Sequence, residues 1–225
     1  MSVLLYNDNC LDFLSKNNIP NNSIIVTDPP FNIGYHYNEY KDKMEVDSYY
    51  KMLSSLLDIA PCVFIHYPEA LYELSARSGV SPTRVVSWVY NSNTAKQHRD
   101  IAFYGVKPNF NQVRQPYKNP NDKRIQQRIA EGKTGCKLYD WWNINQVKNV
   151  SKKYNSHPCV MPTEVMEKII RIIPDGYLIF DPFAGSGTTG VACVRTGNDY
   201  IGCDIDEKYS GIALTRIKEE KDKNL

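Results

Sequence analysis

Long apolar runs are missing from this chain. No stretch approaches the roughly 18 consecutive apolar residues that a membrane span requires, so no membrane partner is expected. Paired cysteines are missing as well. The six cysteines (Cys10, Cys62, Cys136, Cys159, Cys193, Cys203) are scattered, with no C-x-x-C pair. That spacing argues against a zinc site and a disulfide framework and suits a reducing cytosol; no metal is expected. Met1-Ser2-Val3-Leu4-Leu5-Tyr6 runs at once into polar Asn7-Asp8-Asn9, so a secretory signal is not expected and a cytoplasmic protein is. Internal repeats and low-complexity tracts are also lacking. His36, His66 and His98 are too isolated in sequence to suggest ligands and are read as solvent or scaffold histidines. What remains is ordinary: 42% hydrophobic and 23% charged residues in 225, enough for one sizeable globular domain with room for a small inserted module.

The net charge of +2 is unevenly placed. Between Lys107 and Lys153, eleven basic residues stand against three acids (Asp122, Glu131, Asp140), a local +8 that leaves −6 for the remainder. A basic segment in an acidic chain suits a polyanion such as double-stranded DNA, because each neutralised phosphate releases condensed counterions. Arg114, Lys118, Lys123, Arg124 and Arg128 are the candidate DNA-binding residues. A solvated loop that uses lysine for solubility is the plain alternative.

Periodicity supplies the fold. Ser23–Thr27 is a β-branched run ending at Asp28-Pro29-Pro30, and residues 62–65, 85–90, 101–104, 177–180 and 200–203 read as further strands. Helices are expected over Asp47–Ile59 with Asp47 as its cap, Glu69–Ala76, Thr163–Ile173, Thr188–Thr196 and Glu207–Lys218. Strands alternating with helices imply an α/β, doubly wound, mostly parallel sheet. Residues 107–137, rich in Asn, Gln, Lys, Arg and Pro, break the pattern and read as an insert or mobile loop. The expected division is a catalytic half at 1–106, a basic target-recognition insert at 107–150 and a cofactor-binding half at 151–225. Trp88, Trp141 and Trp142 are expected in the core.

Strand 177–180 runs into Asp181-Pro182-Phe183-Ala184-Gly185-Ser186-Gly187-Thr188-Thr189-Gly190. Gly185 to Gly190 satisfies G-x-G-x-x-G, and Asp204 lies nineteen residues beyond Gly185 at the end of the next strand. Strand, glycine turn, helix, strand and acid form a nucleotide-binding half-sheet. Asp181 indicates which nucleotide. A carboxylate beside the glycine turn would oppose a pyrophosphate seated at the helix N-terminus, whereas S-adenosylmethionine has no phosphate and carries an ammonium and a sulfonium. No lysine follows the glycines, so a phosphate-gripping loop is not expected either.

Asp28-Pro29-Pro30-Phe31 should lie at the carboxyl edge of the sheet, where such folds bind ligands. A base amine is a poor nucleophile because its lone pair is delocalised into the ring. The Asp28 carboxylate and the Pro29 carbonyl, accepting its two N–H bonds, would localise that pair. Consecutive prolines hold the backbone rigid, and Phe31 offers a face on which an extruded base can stack, worth roughly 1–3 kcal/mol. Alone, Asp-Pro-Pro is more often a turn than a catalytic site; the glycine loop in the same chain reverses the balance.

With both motifs present, the chain resembles the permuted beta group of DNA amino-methyltransferases, which act on adenine N6 or cytosine N4. Asp28–Gly34 is similar to the family's catalytic motif, Asp181–Thr189 to its cofactor motif, and Gly202-Cys203-Asp204 with Tyr209, Ala213 and Arg216 to its ribose-binding segment. Asp140-Trp141-Trp142 and His157-Pro158 resemble the stretch that leads back into the sheet. The resemblance implies a permuted Rossmann-like methyltransferase sheet, S-adenosylmethionine as cofactor, and a bacterial or phage-encoded enzyme of restriction-modification type. It implies catalytic roles for Asp28, Pro29, Pro30 and Phe31. It implies cofactor contacts from Asn9, Cys10, Asp28, Asp181, Phe183, Ala184, Gly185, Ser186, Gly187, Thr188 and Asp204. An aspartate at the first tetrad position leans to adenine. RNA as substrate, a catalytically silent binding module, a homodimer and a cognate nuclease stay open. Two departures stand out: Asn9 where relatives carry an acid, and Cys159-Val160-Met161-Pro162 where they carry Thr-Gln-Lys-Pro. Tyr35, Tyr37 and Tyr40 could line a base or DNA groove, or serve the scaffold.

Overall fold

The computed structural model describes residues 1–35, 40–147 and 160–223. Strand β1 (Val3–Asn7) leads into helix α1 (Cys10–Lys16), capped by the Asn9 side chain accepting from the amides of Leu11 and Asp12. Sequence periodicity marks neither element: β1 is a short edge strand with little burial, and Asn7-Asp8-Asn9 reads as a polar break although it is the cap. Next come β2 (Ser23–Thr27), α2 (Val46–Leu57), β3 (Cys62–His66), α3 (Pro68–Ser78), β4 (Arg84–Val89) and β5 (His98–Tyr104). The cap of α2 is Glu45 rather than Asp47. Glu45 reaches the amides of Asp47 and Ser48, while the Asp47 carboxylate turns outward to Arg77 at 2.6 Å.

The insert carries a short antiparallel pair, β6 (Arg114–Gln115) and β7 (Cys136–Lys137), around helix α4 (Lys123–Ala130), which buries none of its side chains. Its root is anchored where the Leu138 amide donates to the carbonyls of Phe110 and Val113, and Leu138 itself is buried. Strand β8 (Trp141–Asn143), within the 107–150 span, returns to the main sheet beside β4. Because side chains alternate along a strand, Trp142 points inward while Trp141 is 45% exposed. Trp88 and Trp142 are core as expected; Trp141 is not, and the Lys118 ammonium lies 4.5 Å from its ring centre.

The chain closes with α5 (Thr163–Ile172), β9 (Leu178–Asp181), α6 (Thr188–Thr196), β10 (Tyr200–Asp204) and α7 (Glu207–Lys223). The sheet order is β1-β10-β9-β2-β3-β5-β4-β8. Neighbours pair in parallel except at β3–β5 and β5–β4, so β5 runs against the rest. Within β2, Ile24 and Val26 join the core formed with Ile169 of α5, Val191 of α6 and Ile217 of α7. Ile25 faces the other way, onto Tyr49, Leu53 and Leu56 of α2 and Leu71 of α3. Helices therefore cover both faces, as the near-continuous apolar strands require. The order of connection reverses between β9 and β2, the place where open α/β sheets leave a crevice at their carboxyl edge.

Candidate active site

Pairing of β2 with β9 brings the two sequence motifs together. The hydroxyl of Thr27, last residue of β2, donates to Asp181 Oδ1 at 2.7 Å across 154 residues of sequence. Thr189 Oγ1 donates to Asp181 Oδ2 at 2.6 Å and the Phe183 amide to Oδ1 at 3.2 Å. Burial nonetheless pushes the Asp181 carboxyl up to about 6, opposed by those hydrogen bonds. Asp204, ending β10, accepts the Gly185 amide at 2.7 Å and the Asp206 amide at 2.9 Å, which ties the acid to the glycine turn. Gly187 adopts φ 76°, and a Cβ there would come within 2.7 Å of Ala213 Cβ, so its lack of a side chain lets α6 pack on α7. The Arg216 guanidinium donates to the Ser186 carbonyl at 2.5 Å and hydroxyl at 2.8 Å.

The tetrad leaves β2 directly. Asp28 is 22% exposed, and its Oδ1 is buried without a hydrogen-bond partner among the described residues. Its Oδ2 lies 3.4 Å from Arg99 Nη1. Burial pushes this carboxyl up to about 6; the Arg99 cation opposes that and the Asp181 carboxylate adds to it. The Arg99 guanidinium also lies 4.5 Å from the Phe31 ring centre, a cation–π distance. After Phe31 the chain turns through Asn32 at φ 56°, a left-handed conformation that asparagine tolerates better than most residues. Asn32 is locked there by reciprocal bonds with the Met44 backbone, while the buried Asp42 carboxylate accepts the amides of Asn32, Ile33 and Tyr35. Three charge-assisted bonds converge on one side chain, so the exit from the tetrad is as fixed as its entry.

A cavity of about 480 Å³ runs across both motifs. Asp28, Pro29, Pro30 and Phe31 line it, as do Asn9, Cys10, Asp181, Phe183, Ala184, Gly185, Ser186, Thr188 and Asp204. Gly187 is not in that wall; it faces Ala213. Met161 lines the cavity as an apolar wall, and Tyr35 and Tyr40 line it as well, while Tyr37, His157 and Cys159 lie outside the described residues. Burial pushes the Cys10 thiol up to about 12, so it stays protonated. Arg114, Lys118, Lys123, Arg124 and Arg128 are exposed on the insert and none touches the cavity. Among the described residues, the wall's charged groups are five aspartates (28, 42, 181, 204, 206) and one arginine, Arg99. Such a lining favours a cationic, phosphate-free nucleoside over a pyrophosphate.

Sequence reasoning misses Arg99, His66 and Tyr49. Arg99 reaches the edge only because β5 runs antiparallel and so begins where its neighbours end, with Asp100 in register with His66. His66, isolated in sequence and expected as scaffold or solvent, is buried at the back of the site, its ring centre 4.3 Å from that of Phe31. Among the described residues no cluster of His, Cys, Asp and Glu is built to hold a metal.

Three kinds of likeness agree with this geometry. A family model described as DNA methylase, of the N6/N4 type, matches residues 23–215. The type II methyltransferase M.HpaI of Haemophilus parainfluenzae is 25% identical over 232 residues, spanning 90% of this chain and 71% of that one. Among solved structures, the PvuII DNA methyltransferase, cytosine-N4-specific, superposes with TM-score 0.69 at 15% identity, covering 99% of this chain and 92% of that one. The M1.HpyAVI–SAM complex superposes with TM-score 0.59 at 19% identity, covering 95% and 99%. The chain belongs to the DNA methylase family, and its sheet is the Rossmann-like sheet of the DNA methyltransferases.

Proposed function

We propose that this member of the DNA methylase family transfers the methyl group of S-adenosylmethionine to the exocyclic N6 amine of adenine in duplex DNA. The observation that carries the reading is Asp28 Oδ1. It is a buried carboxylate oxygen without a partner among the described residues, on a cavity lined also by Pro29, Pro30, Phe31, Asp181 and Asp204. A buried acceptor left unmatched costs about 1–3 kcal/mol, and an amine N–H arriving there would remove that cost.

The residues fit the cofactor. Asp204 would accept the ribose hydroxyls with the lone pairs its two backbone bonds leave over. Asn9 and Phe183 would flank the adenine, and Asp181 would favour the ammonium-bearing end. Gly185, Ala184, Ser186 and Thr188 would bring backbone close to the ligand, and Cys10 would add apolar wall. When bound, S-adenosylmethionine supplies an electrophilic methyl on a sulfonium. The chain's own work is positioning and electrostatics. Asp28 and the Pro29 carbonyl accept the two N–H bonds of the amine, localising its lone pair, and Phe31 stacks the base. Pro30 stiffens the turn. Arg99 holds Asp28 ionised at neutral pH and leaves Oδ1 for the amine.

Arg114, Lys118, Lys123, Arg124 and Arg128 would meet phosphates, and the insert would carry target recognition. The second reading, cytosine N4, is favoured by the cytosine-N4-specific structural neighbour and by the ability of an aspartate to accept from N4–H as well. Incubation with unmethylated duplex DNA and S-adenosylmethionine, followed by digestion to nucleosides and mass analysis, is expected to yield N6-methyladenine. N4-methylcytosine would transfer the assignment to cytosine, and no product would overturn both.

A further inference from the structure

Two prolines do not fix the whole tetrad. They set φ of Pro29 and Pro30 and restrict ψ of the residues before them, Asp28 and Pro29. Within the proline pair one torsion escapes: ψ of Pro30, which is followed by Phe31 and not by another proline. That torsion aims the Pro30 carbonyl and, together with the torsions of Phe31 itself, sets where the Phe31 ring goes.

The structure pins it from two sides. Tyr49 Oη lies 2.7 Å from the Pro30 carbonyl oxygen and 2.8 Å from His66 Nε2. The Tyr67 amide donates to His66 Nδ1 at 2.7 Å. An amide can only donate, so Nδ1 presents its lone pair, and the ring proton sits on Nε2 and is given to Tyr49 Oη. The tyrosine's own proton is then free for the Pro30 carbonyl, which can only accept. Every donor in the run Tyr67, His66, Tyr49, Pro30 finds one acceptor, and His66 and Tyr49 are buried. Burial, with the Arg99 and Lys96 cations, lowers the His66 imidazole to about 3, in keeping with a ring that stays neutral. The same ring packs on Phe31 at 4.3 Å, and Tyr67 meets Phe31 edge-on at 5.0 Å.

We propose that His66 is a positioning residue for the amine seat, setting the Phe31 ring by direct contact and the Pro30 carbonyl through the Tyr49 hydroxyl. The inference rests on the tetrad being that seat. His66 and Tyr49 are absent from the cavity wall as far as it is lined by described residues, so they act through the tetrad.

The test compares wild type with Tyr49→Phe, which removes one hydroxyl, with His66→Phe, which keeps a ring and loses the relay, and with His66→Gln, whose amide can accept from Tyr67 and donate to Tyr49. Single-turnover methyl transfer to PCR-amplified, hence unmethylated, duplex DNA is expected to fall about tenfold in Tyr49→Phe and further in His66→Phe, the scale of removing one hydrogen bond or more. His66→Gln is expected to recover most of the rate. S-adenosylmethionine affinity, by calorimetry, should stay within about twofold in Tyr49→Phe. A wild-type rate in both Tyr49→Phe and His66→Phe overturns this inference alone. So does a slower rate in Tyr49→Phe matched by equal falls in cofactor affinity and melting temperature, which marks a merely structural role. Absence of transfer by the wild type overturns the amine-seat reading and this inference with it.

Discussion

Arg99 lies 3.4 Å from Asp28 and Arg124 lies 3.3 Å from Asp122, so by distance the two ion pairs are equivalent. Their surroundings are not. The Arg99 side chain is 13% exposed and its partner 22%, whereas Arg124 is 90% exposed. At the carboxyl edge of the sheet, the carboxylate has lost much of its water, so a neighbouring cation decides how far its proton affinity rises. On the insert, water and salt screen the pair and leave both charges available to something else. The chain carries charge in two ways: desolvated and fixed beside the tetrad, solvated and plentiful on the insert.

Breaking the buried member of the comparison should cost most. Asp28→Ala is expected to lower methyl transfer by about 10²–10³-fold, the usual scale for removing one preorganised polar group from a reacting centre, with cofactor binding partly retained; single-turnover kinetics and calorimetry check the two halves. A wild-type rate in this variant would sink the assignment.

Arg99→Met sharpens the comparison by taking away only the cation. On the proposed role of Asp28 as the ionised acceptor of the amine, wild-type transfer should fall as pH drops through about 6. Without Arg99 the carboxyl rises further, and the acid limb should move to higher pH. That leaves roughly tenfold less activity at pH 7 if the shift approaches two units. The profile must be taken at saturating cofactor, because the Asp181 carboxyl is also raised to about 6. An unmoved acid limb would show that Arg99 does not hold Asp28 ionised.

On the insert, Lys123→Gln, Arg124→Gln and Arg128→Gln combined should weaken DNA binding equally for all sequences. The slope of log affinity against log salt should drop by up to about three, near 0.9 for each phosphate no longer neutralised. An unchanged slope would remove α4 from the DNA interface. The smallest effect belongs to Arg124→Gln alone: the melting temperature should not move, since the Asp122 cap to the Arg124 amide survives and the exposed ion pair contributes next to nothing.

Legibility in sequence follows the range of the forces. Helix α6 begins and ends at Thr188 and Thr196 as expected, and β2 spans Ser23–Thr27 as expected, because apolar periodicity, proline stops and glycine turns act over a few residues. The α2 cap lies two residues before its expected place: Glu45 and Asp47 are both acids near the helix start, the helix begins at Val46, and Asp47 pairs with Arg77, thirty positions on. Trp141 departs from the expected core because an edge strand exposes alternate residues and nothing local marks β8 as an edge. Arg99 is invisible in sequence for a deeper reason: strand direction is not written in a run of apolar residues.

The sequence by itself determined the apolar periods that demand helices on both faces of the sheet, the two motifs with their residue types, and the concentration of positive charge in the insert. Each of these is a local or compositional property. Only the tertiary structure decided that β2 pairs with β9, which sets Thr27 against Asp181 and merges two motifs into one cavity. It also decided that β5 runs backwards, placing Arg99 on Asp28, and that His66 and Tyr49 close behind the tetrad. Those contacts join residues far apart in the chain, and their geometry follows from sheet order and strand direction, which emerge only when the whole core packs at once.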